Sequence, residues 1–314
     1  MLEHRGTNET GGRGLSVEER RGVLCGLFCY VFWGLCPIYW KLLLEVNSFE
    51  IIAHRIIWCF AVTLVVCAVG RLGFGELVRQ RRAWRYLVPS SLLISVNWAL
   101  YIYAVNSGNV IETAIGYYIN PLVSIVLGVV VFRERLTRLQ TLAVALCTFG
   151  IVFFTVNYGR FPWIALSLAF SFGAYGAVKK KAGYAATPAL AFESMVMLVP
   201  AIVLAIVLAQ VTGTHAFLGD TATAHGWLLT ALLVLAGPVT AVPLILFASA
   251  ANRIPLSLLG FIQYVSPTIA LLSGVFLFGE AFTVAHAVCL GCIWAGLAIV
   301  SAETVAASRK HPGA

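Results

Sequence analysis

Ten apolar stretches, each about as long as a bilayer is thick, leave this chain almost nothing else to build with. They run approximately over residues 22–44, 50–70, 85–106, 110–132, 137–157, 161–178, 188–211, 227–249, 254–278 and 283–304, and a spanning helix needs about 20 predominantly apolar residues. The 314 residues are 60% hydrophobic and 11% charged, against roughly 45–50% and 25% in soluble domains. Connections between the stretches are short, so no soluble domain can be assembled from them. The sequence therefore predicts an all-α integral membrane protein of ten transmembrane helices, whose activity belongs to the bundle itself.

The net charge of +8 does not point to nucleic acid, because the basic residues form no single patch with interleaved aromatics. They alternate by loop instead. Arg5, Arg13, Arg20 and Arg21 precede the first span, Arg71, Arg79, Arg81, Arg82 and Arg85 follow the second, and Arg133, Arg135 and Arg138 follow the fourth. Lys179, Lys180 and Lys181 follow the sixth, Arg253 the eighth, and Arg309 and Lys310 close the chain, whereas the opposite set of loops holds only Lys41 and Arg160. The positive-inside rule places both tails, 1–21 and 305–314, in the cytoplasm. The first span exceeds a signal-peptide core and no small-residue cleavage pattern follows it, so it is expected to remain in the membrane.

The second half repeats the first. A shift of 146 sets Tyr118 on Tyr264, Pro121 on Pro267, Gly128 on Gly274, Phe132 on Phe278, Glu134 on Glu280 and Gly150 on Gly296; a shift of 139 sets Gly34 on Gly173 and Lys41 on Lys180. The two units, 22–157 and 161–304, have five spans each, an odd number, so they enter the membrane from opposite sides. Such a 5+5 inverted repeat is the construction of many secondary transporters, with a solute site near the midplane where the halves meet.

Six segments carry a resemblance: "FWGLCPIYWKLL" (32–43), "AHRIIW" (53–58), "NWALYIYAVN" (97–106), "GYYINPLVSIVLG" (116–128), "LAFSFGAYG" (168–176) and "GFIQYVSPT" (260–268). With compatible spacing over residues 20–305, the chain resembles the RarD branch of the EamA family, in the drug/metabolite transporter superfamily. The resemblance implies a multi-pass bacterial inner-membrane permease or exporter of a small metabolite or drug, in a group often labelled by chloramphenicol sensitivity; it implies no single substrate. One departure is local. The Gly-Glu-Arg that often follows the fourth span in such proteins reads Arg133-Glu134-Arg135 here, while Gly279-Glu280 keeps the pattern.

Pro121 and Pro267, beside Asn120 and Ser266, are expected to act as hinges, because a proline inside a membrane span is tolerated where neighbours or a polar cavity satisfy the released backbone. Around them Asn97, Trp98, Tyr101, Tyr117, Tyr118, Asn120, Gln263 and Tyr264 are the candidate substrate-binding residues. Tyr and Trp join an apolar body to one polar tip, which suits a small amphipathic solute, neutral or zwitterionic. The competing account is hydrogen bonding between helices. Trp33, Tyr39, Trp40 and Tyr175 could line a path, although interfacial anchoring accounts for Tyr39 and Trp40 equally well.

Intramembrane ions are rarer and more informative. His54, Arg55 and Glu193 occupy equivalent turns of the two halves and are the charged coupling candidates, Glu193 for protons, as a carboxyl taken out of water. Arg55 should lie roughly 8 Å from one surface and Glu193 about 8 Å from the other, which separates their backbones in depth by about 14 Å and argues against one salt bridge between them. Lys41 and Glu112, nearer span ends, are better explained by snorkelling.

Enzyme chemistry finds no support: there is no Walker, GxSxG or HExxH pattern, and His54 has no evident nucleophile beside it. Eight cysteines, Cys25, Cys29, Cys36, Cys59, Cys67, Cys147, Cys289 and Cys292, all fall in spans. Even the Cys289/Cys292 pair is better read as small apolar packing, so no cofactor or metal is expected. A non-transporting sensor or subunit and an intramembrane enzyme are the alternative classes. The expected partners are a small-molecule substrate and the lipid bilayer, with proton coupling a possibility; glycines such as Gly291 and Gly296 suit packing within one chain or between two.

Overall fold

A computed structural model of the chain describes residues 16–106, 110–159, 161–212, 216–219, 223–278 and 283–310. These residues form twelve helices: α1 (Val17–Lys41), α2 (Ser48–Val69), the short α3 (Phe74–Arg79), α4 (Arg81–Asn106), α5 (Val110–Phe132), α6 (Arg138–Tyr158), α7 (Trp163–Ala182), α8 (Ala186–Thr212), α9 (Ala224–Ala251), α10 (Leu256–Gln263), α11 (Val265–Phe278) and α12 (Val284–Lys310). Local chemistry sets several ends. Ser16 with Glu19, and Thr137 with Gln140, form reciprocal capping boxes at the starts of α1 and α6, each satisfying two otherwise orphaned donors. Gly159 and Gly183 take left-handed conformations after α6 and α7, as C-terminal caps require.

Eight segments are long and apolar enough to cross a membrane, with α10–α11 counting as one. The exceptions among the long helices are α4 and α7, of 26 and 20 residues, and their polarity has a use. Asn97 Nδ2 of α4 donates to the Leu168 carbonyl and to Ser171 Oγ of α7, each at 2.9 Å. Ser171 is buried, so polar groups that would be costly against lipid satisfy one another inside the bundle.

Helix packing respects an exchange of halves. With α1 matched to α7, α2 to α8, α4 to α9, α5 to α10–α11 and α6 to α12, the neighbours α5/α7 and α4/α7 correspond to α1/α11 and α1/α9, while α2/α8 and α6/α12 correspond to themselves. Glycines show why the sequence repeats where it does. A Cβ on Gly173 would lie 2.6 Å from Val123, and one on Gly34 would lie 2.7 Å from Ile269, the residue equivalent to Val123. Likewise Gly150 faces Cys289 and Cys292, and Gly296 faces Ala143 and Cys147. The Cys289/Cys292 pair is thus half of a close α6/α12 seam, and no group of three metal-ligating side chains occurs among the described residues.

The two proline positions differ. The equivalent of α5 is interrupted at Tyr264, between α10 and α11 and three residues before Pro267. By contrast, α5 runs unbroken through Pro121. Its neighbour packs closely there: a Cβ on Gly260 of α10 would sit 2.8 Å from the Pro121 carbonyl.

Candidate functional site

Two groups of intramembrane charge lie in different parts of the bundle. Arg55, on α2, donates from Nε to Thr240 Oγ1 of α9 at 3.0 Å. Its guanidinium carbon stands 4.8 Å from the ring centre of Trp40 on α1 and 4.5 Å from that of Trp98 on α4, within the range of cation–π attraction to both. Tyr101 and Tyr117 are in electrostatic reach of Arg55, and their rings lie 6.3 Å apart. Tyr117 keeps 47% of its surface accessible, and Tyr101 37%. Accessible rings and a half-buried guanidinium thus form one cluster. Among the described residues no carboxylate pairs with Arg55, and beyond Thr240 its guanidinium has no hydrogen-bond partner.

Around Glu193 of α8 the arrangement is closed. Its carboxylate lies 3.1 Å from Lys179 Nζ of α7 and accepts from Ser90 Oγ of α4 at 2.6 Å and from Tyr175 Oη at 3.4 Å. Ser91 Oγ donates to its carbonyl. Lys179 and Glu193 are 4% and 3% exposed. Between this group and Arg55 lies a cavity of about 20 Å³ lined by Cys59, Ser95, Trp98, Tyr175, Glu193 and Ser194, room for one water.

Nearby, Glu134 follows α5 and accepts from the Leu256 and Ser257 backbone N–H groups at the start of α10, each at 2.8 Å. Lys180 Nζ is 3.7 Å from Glu134 and donates to the Ala251 and Ile254 carbonyls at the end of α9. One carboxylate and one ammonium thus hold the α9–α10 corner to α5 and α7, with the charge on each side suited to the helix end it meets. The lysine run expected as a loop is in fact the last turn of α7, and its first two members point inward.

Of the sequence-derived candidates, Trp98, Tyr101, Tyr117 and Arg55 come together. Asn97 is spent on the α4–α7 contact. Tyr118 and Tyr264 turn away into an apolar cluster with Phe154, Cys147 and Cys289, and Gln263 accepts from Ser124 Oγ at 3.2 Å in the α5–α10 seam. Asn120 is buried on the same helix, its Oδ1 without a partner among the described residues. His54 Nδ1 accepts from Trp58 Nε1 at 3.2 Å and its ring packs 4.5 Å from Phe217, beside Glu50, which accepts from the Ala216 and Phe217 backbone N–H groups. Trp33 and Tyr175 belong to an aromatic cluster with Phe172 and Phe247. Glu280 and the side chain of Glu112 lie outside the described residues. Thr240 and Lys179 were missed; no motif marks either, though Lys179 could have been sought as a cation one turn before a helix end and facing Glu193.

The chain matches the model of the EamA-like transporter family twice, over residues 20–156 and 162–302. It is 40% identical over 303 residues to the uncharacterized transporter YojE of Bacillus subtilis, covering 94% of this chain and 99% of that one. It is 41% identical over 295 residues to protein RarD of Streptomyces exfoliatus, covering 93% and 92%, and 38% identical to protein RarD of Escherichia coli, covering 93% and 98%. A crystal structure of another protein superposes with a TM-score of 0.69 at 18% identity, over 90% of this chain and 98% of that one, a likeness of fold alone. With two family matches spanning nearly all of a multi-pass helical chain, and relatives of this closeness, the protein belongs to the EamA-like transporter family, in its RarD branch, and so to the drug/metabolite transporter superfamily.

Proposed function

We propose that the protein is a secondary-active transporter of the bacterial inner membrane, moving a small amphipathic solute by alternating access between two five-helix halves of inverted topology. Ten spans follow if α4 and α7 cross with the eight apolar segments, their polar faces turned to one another. The basic residues beside the ends of α2, α5 and α7 favour cytoplasmic termini. On that orientation the Arg55 cluster belongs to the outer half of the protein, and the Glu193–Lys179 and Glu134–Lys180 contacts to a closed inner half.

The observation that carries this reading is the pairing of accessible Tyr117 and Tyr101 beside Arg55 in one part of the bundle with a packed, partnered charge pair in another. A solute would enter against Trp98, Tyr101, Tyr117 and Arg55, and return of the bundle to the opposite state would exchange the open and closed halves. Counterflow of labelled solute in proteoliposomes tests this: uptake against a preloaded interior separates a transporter from a sensor or enzyme, and its absence for every solute that binds would reject the reading. Proton coupling through Glu193 is the second element. It requires Lys179 and Glu193 to separate during the cycle, so Glu193→Gln should retain solute binding and lose the dependence of uptake on a pH gradient.

A further inference from the structure

Arg55 is the one charged side chain of its accessible cluster, among the described residues, whose hydrogen-bonding capacity is not consumed by the protein. Nε is taken by Thr240, and the two indole faces of Trp40 and Trp98 cover the guanidinium from α1 and α4. Among the described residues neither Nη group has a hydrogen-bond acceptor. A guanidinium offers five donors in a planar fork, so the Nη edge remains for a ligand. Planar bidentate recognition of this kind matches a carboxylate.

The neighbours define the rest of the ligand. Tyr101 and Tyr117 present accessible rings 6.3 Å apart, and Trp98 adds an indole against the guanidinium, so the wall suits a flat apolar body. Among the described residues, the buried carboxylates are already held: Glu193 by Lys179, Ser90 and Tyr175, and Glu50 by two backbone N–H groups, which leaves neither for an ammonium group. Of the buried and half-buried cations among the described residues, Lys179 and Lys180 are likewise engaged and not available to a second negative charge. Resting on the transporter reading for its biological sense, but not for its chemistry, we propose that Arg55 is the docking point for the single carboxylate of an aromatic or similarly flat organic anion, and that this defines the substrate class of the central site. This departs from the neutral or zwitterionic solute expected from the sequence.

Binding to purified protein in nanodiscs, measured by calorimetry, tests the assignment with four probes that share one aromatic body: 3-phenylpropionate, 3-phenylpropionamide, 3-phenylpropylamine and phenylalanine. Wild-type protein should prefer the carboxylate to the amide by at least about tenfold, the scale of one charge-assisted hydrogen bond, and the amine should bind more weakly still. In Arg55→Gln the carboxylate-to-amide ratio should fall to near one, and in Arg55→Lys it should be intermediate, because a point charge replaces a fork. A single cooperative melting transition certifies that each variant is folded. Phenylalanine should bind more weakly than phenylpropionate, because its ammonium finds no available carboxylate among the described residues; binding at least as tight overturns the assignment of an organic anion. A wild-type ratio near one, a ratio preserved in Arg55→Gln, or no binding of any probe at millimolar concentration overturns the proposal. Arg55-dependent carboxylate binding without counterflow would leave the site in place and reject transport, whereas counterflow of the amide alone would do the reverse.

Discussion

Arg55 and the Lys179–Glu193 pair are charges of the same rarity, each inside the bundle and each near a repeat-equivalent turn, yet they are held in opposite ways. Glu193 is surrounded by every group needed to satisfy a carboxylate: an ammonium and a tyrosine hydroxyl from α7 and a serine hydroxyl from α4. Arg55 has one hydroxyl and two aromatic faces, and opens on accessible space. A fully partnered buried ion pair holds helices in register and is costly to break. A cation stabilised mainly by rings keeps its directional bonds for something that comes and goes. The contrast teaches that intramembrane charge alone does not identify a ligand-binding residue; what remains unpartnered around it does.

The largest effect should come from breaking the closed cluster. Lys179→Ala leaves Glu193 buried without its cation and should destabilise the protein by about 3–5 kcal/mol, seen as a lower melting temperature and poor recovery from the membrane. The double change Lys179→Met with Glu193→Leu should recover most of that loss, because an apolar pair of similar volume has no charge to desolvate. Arg55→Gln should cost only about 1–2 kcal/mol, from lost ring contacts and one hydrogen bond. If it destabilises as much as Lys179→Ala, Arg55 is a structural charge and the contrast fails.

A smaller effect separates charge from scaffold. Gly34→Val and Gly173→Val each force a side chain into a helix contact already closed at the Cβ, and overpacking of this kind costs about 1–3 kcal/mol. The two should cost alike, since they face equivalent residues. A large difference in melting temperature would place the asymmetry of the two ends in the backbone and not in the partnering of charges.

The smallest concerns the closed end alone. Arg133, where the family pattern often has Gly, adopts φ of 56°, a left-handed conformation that disfavours a residue with a Cβ by about 1–2 kcal/mol. Arg133→Gly should therefore raise stability, by about 1 kcal/mol after the added freedom of the unfolded chain is subtracted, without altering the Glu134 contacts to α10. A melting temperature unchanged or lowered would mean that the arginine side chain makes up the backbone cost.

Much of the fold was legible because membrane constraint is strong: apolar length gave the helices, and the shifted matches Gly34/Gly173 and Gly150/Gly296 mark seams where backbones approach. The pattern of basic loops was legible too, but it hid Lys179 and Lys180, since a run of lysines after an apolar stretch reads as solvated loop whether or not its first members turn inward. Helix rotation was the other barrier. Tyr117 and Tyr118 are neighbours in sequence and about 100° apart around a helix, so one faces the Arg55 cluster and the other the α6/α12 cluster, and nothing in the apolar surroundings distinguishes them. Thr240 sits 185 residues from Arg55, on a helix without a distinguishing motif. The helix is unbroken at Pro121 and interrupted before Pro267, a difference that the equal prolines conceal.

The central claim, an accessible Arg55 side and a sealed Glu193 side, is tested most directly by membrane-impermeant thiol labelling of intact cells. Two single-cysteine proteins suffice, Tyr117→Cys and Ser90→Cys, each in a background whose eight native cysteines are replaced by serine or alanine. Tyr117 belongs to the accessible cluster beside Arg55, and Ser90 is a fully buried partner of Glu193. The account predicts rapid labelling from outside at position 117, slowed by a bound aromatic carboxylate, and none at position 90. Labelling at position 90 with position 117 protected, or equal rates at both, would contradict it.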